Sequence, residues 1–115
     1  MLEILFEDNH LIIVNKATGD LSQGDITEDL TLGDKIKSYI KKKYNKKGNV
    51  FLGITHRLDR PTSGVIIFTK TSKALSRINE LFKKNEIKKT YWAIVKSMRN
   101  KSSDKLINYL IKNKK

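Results

Sequence analysis

The sequence predicts an α+β fold, in which a mixed, largely antiparallel central sheet carries at least two helices packed on it. One observation is a series of short apolar runs bounded by turn-prone residues, which is typical of strands. The other is a pair of longer stretches whose apolar residues recur with helical spacing. With 115 residues and no internal repeat, the chain is expected to form one small domain over residues 1–115.

Five segments have the composition of strands. Residues 3–7 and 11–16 flank the turn-prone sequence Asp-Asn-His and predict two short strands. Residues 50–54 and 64–70 predict two apolar strands on either side of a charged connection. Residues 87–96 alternate between the two faces of an extended chain, which predicts a further strand.

Two helices are expected in the remaining chain. Residues 18–29 are polar and contain glycine, which predicts a loop before the first helix. Thr31 can cap that helix, and either Thr71 or Ser72 can cap the second one. The apolar positions of the two helices are Leu32, Ile36, Tyr39 and Ile40, and then Ala74, Leu75, Ile78, Leu81 and Phe82. The tail over residues 97–115 is polar and then amphipathic, and its pattern leaves helix or strand open.

Composition argues against several kinds of site. Cysteine is absent, which excludes disulfides, a thiol nucleophile and cysteine-based zinc sites. His10 and His56 are not at metal-ligand spacing, so no metal site is expected. The longest apolar runs have four or five residues, whereas roughly 20 are needed to span a bilayer. Residues 1–8 are acidic and unlike a signal peptide, so the cytoplasm is the expected location.

Charge is distributed unevenly along the chain. Residues 1–34 hold eight of the 12 acidic residues, and residues 35–115 hold 23 of the 24 lysines and arginines. This asymmetry favours a polyanionic partner and salt-sensitive binding over plain solvation. The polar face of the first predicted helix carries lysines that continue beyond it, namely Lys35, Lys37, Lys41, Lys42, Lys43, Lys46 and Lys47. Either a solvated helix end or contact with an RNA backbone explains this run.

A charged nonapeptide, His-Arg-Leu-Asp-Arg-Pro-Thr-Ser-Gly over residues 56–64, connects two of the predicted strands. Its one carboxylate, Asp59, stands between Arg57 and Arg60, and nearby cations favour the ionised form. Residue types alone favour an ordinary turn with a surface ion pair over a catalytic carboxylate.

The nonapeptide closely resembles the signature of the RNA pseudouridine synthases, in the branch typified by the ribosomal large-subunit and tRNA synthases. Residues 11–19 resemble the early strand of that family, which ends in Asn-Lys-Pro-x-Gly, with Ala17 in place of the proline. Residues 89–95 resemble its Lys-x-Tyr-x-Ala segment. These matches reach across residues 1–95.

The resemblance implies that the chain isomerises uridine to pseudouridine in rRNA or tRNA without a metal or cofactor. Asp59 would be the catalytic nucleophile. Arg57 would hold the flipped nucleotide or fill the space it vacates, and Tyr91 would pack against the extruded uracil. Without the resemblance, a surface ion pair of Arg57 and a core position of Tyr91 would be favoured.

The family also carries a further basic segment, usually Arg-x-His-Gln-Ile-Arg, which does not occur in this sequence. We therefore expect an amino-terminal half of a catalytic domain, with residues 97–115 as a truncated segment. The alternative is an RNA-binding or interaction module that keeps the fold without turnover. An open sheet edge would then favour self-association.

Overall fold

The computed structural model describes residues 2–24, 27–97 and 102–113. Its strands are β1 (Glu3–Glu7), β2 (Leu11–Lys16), β3 (Gly53–Ile54) and β4 (Gly64–Thr69), and its helices are α1 (Leu32–Lys43) and α2 (Ser72–Lys83). The strands form one antiparallel sheet in the order β1-β2-β4-β3. The predicted α+β fold with a largely antiparallel sheet and two helices is confirmed.

The pairing of β2 with β4 places the charged nonapeptide. These strands pair along their whole length, from Leu11 with Thr69 to Lys16 with Gly64. The end of β2 therefore lies beside the start of β4. The β2–α1 loop, residues 17–31, consequently leaves the sheet next to the motif loop, residues 55–63, which connects β3 to β4.

Helix α1 covers one face of the sheet. Thr31 caps the helix by accepting from the Asp34 amide at 3.1 Å, and the Asp34 carboxylate accepts from the Thr31 amide at 3.0 Å. The buried apolar cluster beneath it comprises Ile12, Val14, Leu32, Ile36, Ile40, Ile66 and Phe68. Burial of one such side chain contributes about 1.5–3 kcal/mol, so this cluster is the main source of stability for the sheet.

The sheet end opposite the motif loop is held by a single carboxylate. Glu7, at the end of β1, accepts hydrogen bonds from Tyr39 (2.8 Å), Lys43 (2.9 Å), Tyr44 (2.7 Å) and Lys70 (2.8 Å). Burial alone would raise the pKa of Glu7, but the bonds from Lys70, Tyr44, Lys43 and Tyr39 outweigh it and lower the pKa to about 2. This carboxylate thereby joins β1, the end of α1 and the residue after β4.

Thr71, one of the two predicted caps, caps helix α2, which packs against β3 and β4. Its approach depends on Gly53, because a β-carbon there would collide with the Thr69 hydroxyl and with the side chain of Leu75. Among the described residues, no helix is long and apolar enough to span a membrane.

Two predicted strands differ from the structure. The third strand is restricted to Gly53–Ile54 instead of residues 50–54, and residues 87–96 form no strand. Trp92 and Ile94 are fully exposed. An isolated strand leaves its backbone groups unpaired, and within the described chain no strand lies alongside this segment. Residues 102–113 have no regular secondary structure, and the other predicted parts of the tail, 98–101 and 114–115, lie outside the described residues.

Candidate active site

A buried lysine fixes the motif loop from below. Lys16, the last residue of β2, has no solvent-exposed surface. Its ammonium group donates to the carbonyl oxygens of Ala17 (3.1 Å), Arg60 (2.9 Å) and Thr62 (2.7 Å). A buried cation is tolerated only when its hydrogen bonds are satisfied. Lys16 and the carbonyls of Arg60 and Thr62, which lie on either side of Pro61, therefore hold one another in place.

The β2–α1 loop holds the motif loop from the side. The Ser22 hydroxyl, which is buried, donates to the Leu58 carbonyl at 2.6 Å and accepts from the Leu58 amide at 3.1 Å. The Gly19 amide donates to the Arg60 carbonyl at 2.8 Å. Gly19 has a φ of 95°, a conformation that other residues rarely adopt. The residues immediately before and after Asp59 are therefore both fixed to this loop.

The two arginines of the motif point toward the same β2–α1 loop. The Arg57 guanidinium donates to the Gln23 side-chain oxygen at 2.8 Å. Arg60 donates to the Gly19 carbonyl at 2.9 Å and to the Asp29 carboxylate at 2.8 Å. The bond from Arg60, followed by one from Thr27, holds the pKa of Asp29 below its usual range. The pairing partners of the arginines thus come from a loop distant in sequence.

Asp59 itself is exposed at the tip of this clamped loop. Its backbone carbonyl accepts from the Thr62 amide at 2.9 Å, which closes a tight turn. No described side chain donates a hydrogen bond to its carboxylate, although its charge acts on Lys16. Burial lowers the pKa of Lys16, the carboxylates of Asp20 and Asp59 counteract this, and Arg60 adds to it. The loop therefore presents an anionic group that is held by its backbone and open at its oxygen atoms.

Side chains replace the backbone pairing of β3 where the motif loop begins. Continued in register, Thr55 would face Ile67 across the ladder. Instead, the Thr55 hydroxyl donates to the Ile67 carbonyl at 2.6 Å and the His56 Nε2 accepts from the Ile67 amide at 3.0 Å. Both backbone groups of Ile67 are satisfied, while the backbone of residues 55 and 56 is free to leave the sheet. This substitution explains why β3 ends at Ile54.

A cavity of about 520 Å³ is lined by residues of the motif loop, and no described residue of the β2–α1 loop lines it. His56, Leu58 and the turn over residues 62–64 line it on one side, and Tyr91 lines it with neighbouring residues of the segment 87–92 on the other. Tyr91 is 63% exposed. The structure thus brings Tyr91 to the motif loop, whereas Arg57 and Asp59 are not among the residues that line this cavity.

The comparison with protein families identifies the class. The chain belongs to the RNA pseudouridylate synthase family, because the model of that family matches residues 10–115. The family inferred from residues 56–64 is therefore confirmed.

Individual relatives agree with the family. The ribosomal large subunit pseudouridine synthase C of Buchnera aphidicola subsp. Acyrthosiphon pisum is 36% identical over 115 residues, which cover 96% of this chain and 35% of that protein. The tRNA pseudouridine synthase C of Vibrio cholerae is 35% identical over 103 residues, which cover 84% of this chain and 37% of that protein. The solved structure of human RNA pseudouridylate synthase domain containing 4 aligns with a TM-score of 0.61 and 27% identity, over 73% of this chain and 30% of that one. The chain spans about a third of the length of the curated relatives it matches.

Sequence reasoning identified the motif loop but missed three side chains that support it: Lys16, Ser22 and His56. Lys16 stood in the segment that resembles Asn-Lys-Pro-x-Gly, and the signal that could have revealed it is a lysine directly after an apolar strand. No sequence signal pointed to Ser22, because the loop around it is distinguished only by its polar composition. Among the described residues, no group of three or more histidines and carboxylates is placed to bind a metal ion.

Proposed function

We propose that this chain takes part in the isomerisation of uridine to pseudouridine in rRNA or tRNA, with Asp59 as the nucleophile. The observation that carries the proposal is an exposed carboxylate with no hydrogen-bond donor among the described side chains, on a loop held by Lys16 and Ser22. The names of the Buchnera and Vibrio relatives supply the two candidate RNA classes.

The reaction breaks the bond between uracil N1 and the ribose C1′ and forms a bond between C5 and C1′. The C5 proton is lost to solvent and N1 gains a proton, so no redox step, metal or cofactor is needed. An ionised carboxylate can capture or stabilise the electron-poor C1′. Attack on the sugar, attack on the base and assisted elimination remain alternative roles for Asp59.

A uridine within an RNA helix must leave the stack before a carboxylate can reach it, at a cost of a few kcal/mol. We assign the vacated position or the flipped nucleotide to Arg57, whose bond to Gln23 involves one guanidinium nitrogen and leaves the others able to meet a phosphate. We assign stacking on the uracil to Tyr91. Its cavity of about 520 Å³ is within the range of about 300–1,000 Å³ that small-molecule sites occupy.

The test of Asp59 is tritium release from RNA labelled at uracil C5, since the isomerisation expels that hydrogen. We would use a chimera in which the residues of this chain that align with the Buchnera relative, 96% of the chain, replace the matching segment of that protein. Asp59→Asn should abolish release while leaving the circular dichroism spectrum unchanged. Asp104→Asn, which removes an exposed carboxylate elsewhere, is the matched control. Undiminished release by the Asp59→Asn chimera would disprove the nucleophile.

Contact between α1 and the RNA backbone is part of the proposal. Lys43 and Lys70 are held by Glu7 at 2.9 and 2.8 Å. In contrast, the remaining lysines of this helix end have no ion pair within the described chain and are exposed; they are Lys37, Lys41, Lys42, Lys46 and Lys47. Unpaired, exposed cations are the groups that replace counterions along a phosphate backbone.

Binding to a uridine-rich RNA should be measured at several salt concentrations. The slope of log K against log salt becomes shallower by about 0.7–0.9 for each phosphate that the protein no longer neutralises. We expect a triple substitution of Lys41, Lys42 and Lys46 by Gln to reduce it by about 2. The control is a triple substitution of Lys73, Lys83 and Lys84, which removes the same charge from α2. Equal slopes for the two triple variants would contradict a specific contact at α1.

We also propose that these 115 residues alone bind RNA without turnover. The support is the segment carrying Tyr91, which has no sheet partner among the described residues and exposes Trp92 and Ile94. Such a segment also favours self-association. In light scattering after gel filtration, the chain should exceed the mass of a monomer, and a Trp92→Ser, Ile94→Ser variant should be monomeric. Tritium release by the isolated chain, abolished by Asp59→Ala, would refute the claim that it is inactive. We place the chain in the cytoplasm.

A further inference from the structure

His56 makes a hydrogen bond that only one of its protonation states can make. Its Nε2 accepts from the Ile67 amide at 3.0 Å. A nitrogen that accepts carries no proton, so the ring is neutral and its proton is on Nδ1. A doubly protonated imidazolium has no acceptor, and the Ile67 amide would then face an N–H group. The bond therefore exists only while His56 is neutral.

The position of this bond gives it leverage over the motif loop. β3 ends at Ile54, and Thr55 and His56 make the hydrogen bonds to β4 that follow it before the chain turns toward Asp59. The next hydrogen bonds along the chain join it to the β2–α1 loop, from Arg57 to Gln23 and between Leu58 and Ser22. Without the bond from His56, only the bond from the Thr55 hydroxyl would join the start of the motif loop to Ile67.

We propose that His56 is a positioning residue. In its neutral form it replaces a ladder bond beyond the end of β3, and on protonation it releases the start of the motif loop. The proposal concerns how firmly the start of the motif loop is held against β4. It rests on the proposed function only where it predicts an effect on the activity of Asp59. His56 touches the ring of Phe82, with the centroids 5.0 Å apart, and it requires no direct contact with substrate to act.

The surroundings of His56 favour the neutral state. The ring packs against β4 through the Ile67 amide and against α2 through Phe82, neither of which is charged. From the segment that faces it across the cavity come Lys88, Lys89 and Tyr91, and no described residue that lines the cavity is acidic. Burial first, and then the charge of Lys89, lowers the pKa of His56. Protonation of His56 therefore requires a lower pH than protonation of a solvent-exposed histidine.

The first test is a nuclear magnetic resonance titration of the 115-residue chain from about pH 8 to about pH 4.5, a range that brackets the ordinary pKa of histidine. The Ile67 amide nitrogen should shift with the same midpoint as the His56 ring protons. Amide exchange of residues 57–60, corrected for the intrinsic effect of pH, should accelerate about fivefold through that midpoint, as expected when one hydrogen bond of about 1 kcal/mol is broken. An Ile67 amide that does not respond while His56 titrates would overturn the proposal.

Matched variants separate acceptance from bulk. In His56→Gln the amide oxygen can reach the Ile67 amide at every pH, so exchange should be slow and independent of this transition. In His56→Asn the shorter side chain removes the acceptor, so exchange should be fast throughout. If His56→Asn does not fold, the comparison of His56→Gln with wild type still decides. The same pH transition of amide exchange in wild type and in His56→Gln would refute the role of His56.

The chimera described above adds a functional measurement. Tritium release should decrease in acid with the midpoint of the His56 titration, and His56→Gln should remove that decrease. A chimera inactive at every pH would count against the proposed function, while the resonance titration would still decide the role of His56. A decrease in acid that persists in active His56→Gln would refute the link between His56 and Asp59.

Discussion

The motif loop and the segment over residues 87–96 carry the two parts of the predicted site, and they are held in opposite ways. The motif loop is irregular, yet Lys16, Ser22 and His56 bond its backbone or the backbone of its neighbouring strand. The second segment has the alternating pattern of a strand, yet its backbone makes no ladder hydrogen bonds to any described strand, and Tyr91 is 63% exposed. Order at this site therefore follows from the hydrogen-bond partners within reach and not from the regularity of the sequence pattern.

The largest effect on this contrast should come from removing the lysine beneath the motif loop. Lys16→Met removes three hydrogen bonds from a charged donor, each contributing about 1.5–3 kcal/mol, although the Ala17 and Arg60 carbonyls keep the amides of Asp20 and Gly19 as donors. The removal of a buried charge offsets part of this cost. We expect a net decrease of about 3–5 kcal/mol in the free energy of unfolding, measured in urea. Lys37→Met, at an exposed position without an ion pair among the described residues, should change it by less than about 0.5 kcal/mol. A decrease below about 1 kcal/mol for Lys16→Met would show that the loop does not depend on this lysine.

A substitution of Glu7 should lower the stability of the sheet at the end opposite the motif loop. Its pKa lies below the ordinary 4.5 at about 2, which corresponds to on the order of 3 kcal/mol. Because the folded-state pKa is the lower one, this stability is present above pH 4.5 and is lost as the pH falls from 4.5 through 2. Glu7→Gln should therefore be less stable at neutral pH, and its difference from wild type should narrow over that interval in urea unfolding.

Glu7→Gln should leave the local opening of the motif loop unchanged. Amide exchange in the motif loop should increase only in proportion to global unfolding. Glu80→Gln is the control, since its pair with Lys84 is 3.6 Å long and exposed, and such pairs contribute about 0–1 kcal/mol. A difference between Glu7→Gln and wild type that does not change with pH would be inconsistent with the lowered pKa.

A smaller effect is expected from the backbone of the β2–α1 loop. Gly19→Ala forces alanine into a φ of 95°, which costs on the order of 1–2 kcal/mol. Since the Gly19 amide donates to Arg60, amide exchange near residue 60 should accelerate together with the decrease in stability. Gly24→Ala is the matched control, because Gly24 has ordinary backbone geometry and open space around it. Equal stability of the two variants would contradict the role of Gly19.

The smallest effect should come from the opposite side of the site. Tyr91→Ala should change the free energy of unfolding by less than about 0.5 kcal/mol, because little surface of this side chain is buried. Tyr39→Ala, which removes a partly buried ring and its bond to Glu7, should cost about 2 kcal/mol or more and serves as the positive control. A decrease above about 1 kcal/mol for Tyr91→Ala would mean that the segment is packed against the fold after all.

Local patterns in the sequence were sufficient for the frame of this protein. Alternation and turn residues predicted β1, β2 and β4, and cap residues with helical spacing predicted α1 and α2. The nonapeptide identified the family because its residues are contiguous, so that the order of the side chains is itself the signal. The roles of Asp59, Arg57 and Tyr91 remain predictions.

The tertiary structure alone decided how the site is supported. Lys16 and Thr62 are 46 residues apart in the chain, and the register between β2 and β4 is what places one beneath the other. Two further features likewise depend on which strand lies alongside: the substitution of Thr55 and His56 for ladder bonds, and the lack of a strand partner for residues 87–96 in the part of the chain that the structure describes. A sequence pattern encodes the preference of a segment for a conformation, whereas hydrogen-bond partners distant in the chain exist only once the sheet has formed.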